Sequence, residues 1–110
     1  MKITTGTFNV VDIKQNRIHV HGFSKLTGTA ASSLRQALYQ CLNDEYEIMH
    51  IDARDVAYAD LSGMNEIIHA GYVLQQKGKQ LLFIYRRNSV VEKWVQTIAL
   101  DNFITTALLP

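Results

Sequence analysis

Three strand-like runs, each followed within a few positions by apolar residues at helical spacing, leave this chain few folds to choose from. The first is Ile18-His19-Val20-His21, where apolar and polar residues alternate until Gly22 ends the run. The second covers residues 47–52, with Met49 and Ile51 alternating against Ile48, His50 and Asp52. The third, "QLLFIY" at 80–85, is continuously apolar, as expected of a strand covered on both faces. Behind the first, a helix is expected to open near Thr27–Thr29, where a hydroxyl can cap free backbone N–H groups. Its stripe is Ala30, Leu34, Ala37, Leu38 and Cys41, and "NDE" at 43–45 ends it. Behind the second, Met64, Ile67, Ile68, Gly71 and Tyr72 repeat the spacing before "KGK" at 77–79 stops it. Behind the third, Ser89 and Glu92 form a capping box ahead of Val91, Trp94, Val95 and Ile98.

Strands alternating with helices imply parallel pairing through right-handed crossovers, so the class is α/β with a small mixed sheet. An additional hairpin is expected at the start. Phe8, Val10 and Asp12 alternate there against Asn9, Val11 and Ile13, and "KQNR" turns the chain into the first run. The tail "FITTALL" reads as a short last strand.

The chain's 110 residues fit a single domain, 1–110, and 47% hydrophobic content is enough for a core. No apolar run is long enough to enter a membrane. The N-terminal "MKITTGTFNVV" has neither the apolar core nor the small-residue site of a signal peptide. Lys and Arg are scattered and the net charge is only +1, which gives no footprint for nucleic acid. A lone cysteine, Cys41, on an apolar helix stripe reads as core and fits a reducing, cytoplasmic setting.

Enzyme motifs are missing: there is no G-x-S-x-G elbow, no G-x-G-x-x-G and no Walker loop. His19 and His21 point the same way, with His50 beside them, but zinc wants further ligands and neither a cysteine nor a carboxylate is evidently placed to serve. The histidines therefore read as half-exposed sheet residues, with no metal and no cofactor expected. Trp94 reads as a core anchor. What remains is the turn in "VAYADLSGMNEII", residues 56–68, where Asp60, Ser62 and Gly63 stand at a helix start. Free N–H groups and the positive dipole end favour an oxygen acceptor there. The plain reading is that Asp60 or Ser62 is an N-cap.

The chain resembles the STAS domain family, named for sulfate transporters and anti-sigma factor antagonists. "VHGFSKLTGTAASSL" resembles that family's glycine-ended strand, loop and small-residue helix. "IMHIDARDVAYADLSGMNEIIHAGYVLQQKGKQLLFI" resembles its central block, with a strand ending in Asp52 and a D-S/T-x-G motif at a helix start. Gly78, Leu82 and segment 89–103 continue the pattern. The resemblance implies a mixed sheet of four or five strands with three to four helices mainly on one face. It also implies a non-enzymatic bacterial regulator of transcription. Stand-alone members bind an anti-sigma factor that is also a serine kinase, which phosphorylates the residue after the motif aspartate and so switches partners.

Such a phosphate adds about −1.5 to −2 charges. At roughly 5 Å and an effective dielectric near 20, each unit charge costs about 3 kcal/mol against a neighbouring carboxylate. The helix dipole returns only about 0.3–1 kcal/mol, so repulsion wins. This chain carries Leu61 at the acceptor position, with Ser62 one residue on. Three readings follow: binding without a switch, Ser62 as the phosphoacceptor, or a motif that has drifted to other work. The expected contact set is Phe23, Ser24 and Lys25 in the Gly22–Gly28 loop with Asp60, Leu61, Ser62, Gly63 and Met64. Phe23 could equally plug the sheet end. Two alternatives keep the fold: an accessory subunit docking on the ATPase of a lipid transporter, and a ligand sensor using Asp52, Arg54, Asp55 and Asp60 at the sheet end.

Overall fold

The computed structural model describes residues 2–5, 8–13 and 16–110, with side chains from residue 16 onward. In chain order the strands are β1 (Lys2–Thr5), β2 (Phe8–Ile13), β3 (Arg17–His21), β4 (Lys25–Leu26), β5 (Ile48–Asp52), β6 (Tyr58–Ala59), β7 (Gln80–Arg86) and β8 (Thr105–Leu109). The helices are α1 (Gly28–Cys41), α2 (Leu61–Gln76) and α3 (Val90–Ile98), and a 3-10 turn covers Leu100–Asn102.

The main sheet has six strands in the order β1-β2-β3-β5-β7-β8, more than the four or five expected. The two at its start pair antiparallel, β1 with β2 and β2 with β3. From β3 to β8 every pairing is parallel, each return made by a helix or by the turn after α3. The extra strand is Lys2–Thr5, too short and too polar to carry a period of its own. The expected hairpin exists as a β2–β3 pairing. The side-chain alternation expected over 8–13 and the turn residues Lys14 and Gln15 lie outside what the structure describes. Asn16 takes a positive φ of 60°, a conformation that asparagine tolerates better than most residues.

All three helices pack on one face. Ile18 and Val20, Met49 and Ile51, and Leu81, Phe83 and Tyr85 point into a core shared with Leu34, Leu38, Met64, Ile67, Leu74, Val91 and Val95. The third run is therefore not covered on both sides as expected. Leu82 and Ile84 are half-buried on the open face, and β7 alternates like its neighbours. An apolar residue on a half-covered face leaves the same signature in sequence as one in the core.

Helix faces needed two corrections. On α1 the buried residue of the first turn is Ala31, one place on from Ala30. On α2 the buried line is Gly63, Met64, Ile67, Ala70 and Leu74, and Tyr72 is 62% exposed. Gly71 is where the chain after the 3-10 turn crosses the helix: a Cβ there would lie 2.4 Å from Ile104 Cγ2. The capping box forms at α3, with Ser89 Oγ accepting from Glu92 N at 3.2 Å and Glu92 Oε1 from Asn88 N at 3.0 Å. Trp94 is partly buried against the core, and its indole N–H donates to Ala59 O.

Candidate functional site

Two strands of two residues each set up the corner that the sequence singled out. β4 and β6 pair in parallel, Lys25 with Tyr58 and Leu26 with Ala59, and each leads straight into a helix. The starts of α1 and α2 therefore lie side by side. Thr27 caps α1, its Oγ1 accepting from Ala30 N at 3.5 Å. Asp60 caps α2 from extended backbone, Oδ1 accepting from Gly63 N at 2.8 Å. The same carboxylate also accepts from Gly28 N, the first residue of α1, at 3.1 and 3.3 Å. One anion thus closes two positive helix ends, and Asp60 N donates to Leu26 O to tie the turn to β4.

The glycine follows from the same crowding. A Cβ on Gly63 would stand 1.8 Å from Leu26 O, so no other residue fits without moving backbone. Across the gap, a Cβ on Gly28 would come within 3.0 Å of Ser62 Cβ. The D-L-S-G turn is a close crossing of two chain segments before it is anything else.

The expected contact set divides on exposure. Asp60, Ser62, Ser24 and Lys25 are exposed, and Leu61 is 48% exposed. Phe23, Gly63 and Met64 are buried, Phe23 at 1% and Met64 at 0%, and they offer no surface. Phe23 plugs the sheet end, the second of its two readings; Met64 is turned inward because it begins the buried line of α2. Tyr58, absent from the expected set, is 62% exposed. Tyr58 went unnoticed because a two-residue strand is too short to announce itself in sequence. Lys25, Thr27, Thr29, Ala30 and Tyr58 line an open groove next to this patch. The Ser62 hydroxyl makes no hydrogen bond among the described residues, so it is not the cap.

Two of the three acids offered for a sheet-end ligand site, Asp52 and Asp60, are otherwise occupied. Asp52 is 5% exposed, and Arg54 holds it through Nε at 2.8 and 2.9 Å and through its own backbone N–H at 3.1 Å. Burial pushes the Asp52 carboxyl up, but the Arg54 hydrogen bonds and charge, with a smaller share from His19, outweigh it and hold the group below the ordinary carboxylate range. Asp60 is committed to the two helix starts. Cys41 is buried in the core. No described helix is long and apolar enough to cross a membrane.

No known family model matches the chain, and no curated protein matches it. Among solved structures it is similar to the Bacillus cell fate determinant SpoIIAA in its phosphorylated form. The match has a TM-score of 0.68 over 91% of this chain and 90% of that one, at 14% identity. Likeness at that identity speaks for the fold, and the fold of this chain is the STAS fold.

Proposed function

We propose that this chain is a non-enzymatic binding module whose α1–α2 corner docks a regulatory protein, by the family resemblance an anti-sigma factor that is also a serine kinase, and holds it without a phosphorylation switch. The observation that carries this reading is the exposure of Leu61 and Tyr58, the residues on either side of the Ala59-Asp60 turn whose carboxylate is already bonded to two helix starts. Fully burying a leucine or an aromatic ring stabilises a contact by about 1.5–3 kcal/mol, and roughly half of that remains to be gained for a half-exposed side chain. Position 61 carries no hydroxyl, so the phosphate that would repel a partner has nowhere to attach there.

A pull-down from the native host, read by mass spectrometry, tests this. Leu61→Glu puts a permanent charge on the patch and is expected to weaken capture at least tenfold, about 1.4 kcal/mol. The variant should fold as the parent does, because the side chain is exposed. Equal capture by parent and variant would remove the corner from the contact.

A second reading has one observation in its favour: Ser62 is exposed and its hydroxyl makes no hydrogen bond among the described residues. Phosphopeptide analysis of the same sample decides between the two. Phosphate on Ser62 would make the docking switchable after all. An ATPase of a lipid transporter among the captured proteins would keep the docking corner and change the partner.

A further inference from the structure

We propose that the outer edge of β8 pairs with the same strand of a second copy of this chain, antiparallel about a two-fold axis at Ala107. β8 is the last strand of the six-stranded sheet, so one of its edges has no strand beside it among the described residues. Such an edge presents a row of unpaired N–H and C=O groups, and proteins ordinarily blunt it with charge, proline or a bulge. The five residues of β8 are Thr-Thr-Ala-Leu-Leu, with neither a charge nor a proline among them. Their register against β7 runs unbroken from Thr105 to Leu109, so there is no bulge either. The opposite edge, β1, carries Lys2, the kind of residue that discourages such pairing.

The register of the pair follows from which backbone groups point outward. Arg87 N donates to Leu109 O at 2.8 Å, and Leu109 stands opposite Arg86 in the parallel ladder. Backbone groups alternate sides along a strand, so Thr105, Ala107 and Leu109 bond β7, and Thr106 and Leu108 aim their N–H and C=O away from the sheet. In a two-fold pair, outward residues must meet outward residues. An axis at Leu108 would set Thr106 against Pro110, which has no N–H. An axis at Thr106 would set Leu108 against Ile104, whose N–H already donates to Leu100 O at 3.2 Å. An axis at Ala107 matches Thr106 with Leu108 of the second copy in both directions, each pair exchanging both of its hydrogen bonds.

The side chains fit that register. The two alanines form the non-hydrogen-bonded pair on the axis, where Cα atoms approach to about 4.5 Å and a small side chain is wanted. Leu108 is 41% exposed, and the two Leu108 side chains become diagonal neighbours about 7–8 Å apart, within reach of each other. No like charges meet, because the strand has none. Five residues a side are few against the 20–30 or so of a standard interface, so the dimer is weak and reversible, with a Kd of roughly 10–500 micromolar.

Sedimentation equilibrium of the full chain, from about 5 micromolar to about 1 millimolar, reads this as a monomer–dimer equilibrium. Thr106→Pro removes an outward N–H and no bond to β7, so the sheet should survive while the Kd rises at least tenfold. Ala107→Lys sets like charges on the axis and should give the same loss; it carries the test should the proline variant unfold. Leu61→Glu, at the α1–α2 corner, should leave the association unchanged. Circular dichroism confirms the fold of each variant. A chain monomeric throughout, a dimer indifferent to both edge variants, or a growing series of oligomers would overturn the assignment. So would a monomer that captures an extended segment of another protein in a Thr106→Pro-sensitive way.

Discussion

The corner where α1 and α2 begin and the open face of the sheet handle their polar side chains in opposite ways. At the corner, Asp60 and Thr27 bind backbone amides, Trp94 donates to a backbone carbonyl, and Leu61 and Tyr58 are exposed together with Ser24, Lys25 and Ser62. On the open face, regular strands satisfy one another's backbone, so His19, Asp52, Arg54, His50 and Arg17 bind each other. A place where the main chain is unfinished consumes side chains to complete itself, and a place where it is complete leaves them to bind one another.

Substitutions separate the two regions by size of effect. Gly63→Ala should be the most damaging, because its Cβ would meet backbone at 1.8 Å and not a side chain able to swing away. Forced overpacking ordinarily costs about 1–3 kcal/mol, and a clash with immovable backbone should reach or exceed the top of that range in urea unfolding. Asp60→Ala comes next. An N-cap is worth about 0.5–2 kcal/mol, and loss of the amide of Gly28 as a second client should bring the measured value near 2 kcal/mol. A cost below about 0.5 kcal/mol would mean that water replaces the shared carboxylate and that the corner is not finished by its side chains.

The open face should answer more mildly. Arg54→Ala should cost about 1 kcal/mol at neutral pH, since hydrogen bonds to a charged group are worth roughly 1.5–3 kcal/mol before discounting for the half-exposed guanidinium. The sign of its pH dependence is fixed by Asp52, whose carboxyl is held below the ordinary range in the folded state. Stability from that pair is fully present above the unfolded carboxylate pKa, near 3.9, and is lost as pH falls through the lower folded value. The gap between parent and variant should therefore close in acid; a gap that persists there would show that Arg54 acts through packing.

Much of this was legible in the sequence, for identifiable reasons. Ile18, Val20, Met49 and Ile51 declared their strands by alternation, and Ser89 with Glu92 declared a helix start, because these signals lie within a few residues. Tyr72 was misplaced because a glycine and an aromatic at helical spacing mimic a buried stripe, and only the crossing of Ile104 shows which way the helix is turned. Leu82 and Ile84 looked like core because composition reports apolarity and not which layer covers it. At the corner, Asp60 could be read as a cap for its own helix. Its second bond reaches Gly28, 32 residues earlier, and no local pattern records a partner so far away. The inward turn of Phe23 and the outward turn of Tyr58 depend on the same long-range crossing.

That long reach has a mechanical side. With one carboxylate latching both helix starts, α1 and α2 are fastened at a common pin, and loss of the Asp60 carboxylate would loosen both ends together. A single substitution on the rim thereby reaches two segments of the chain that lie 32 residues apart in sequence.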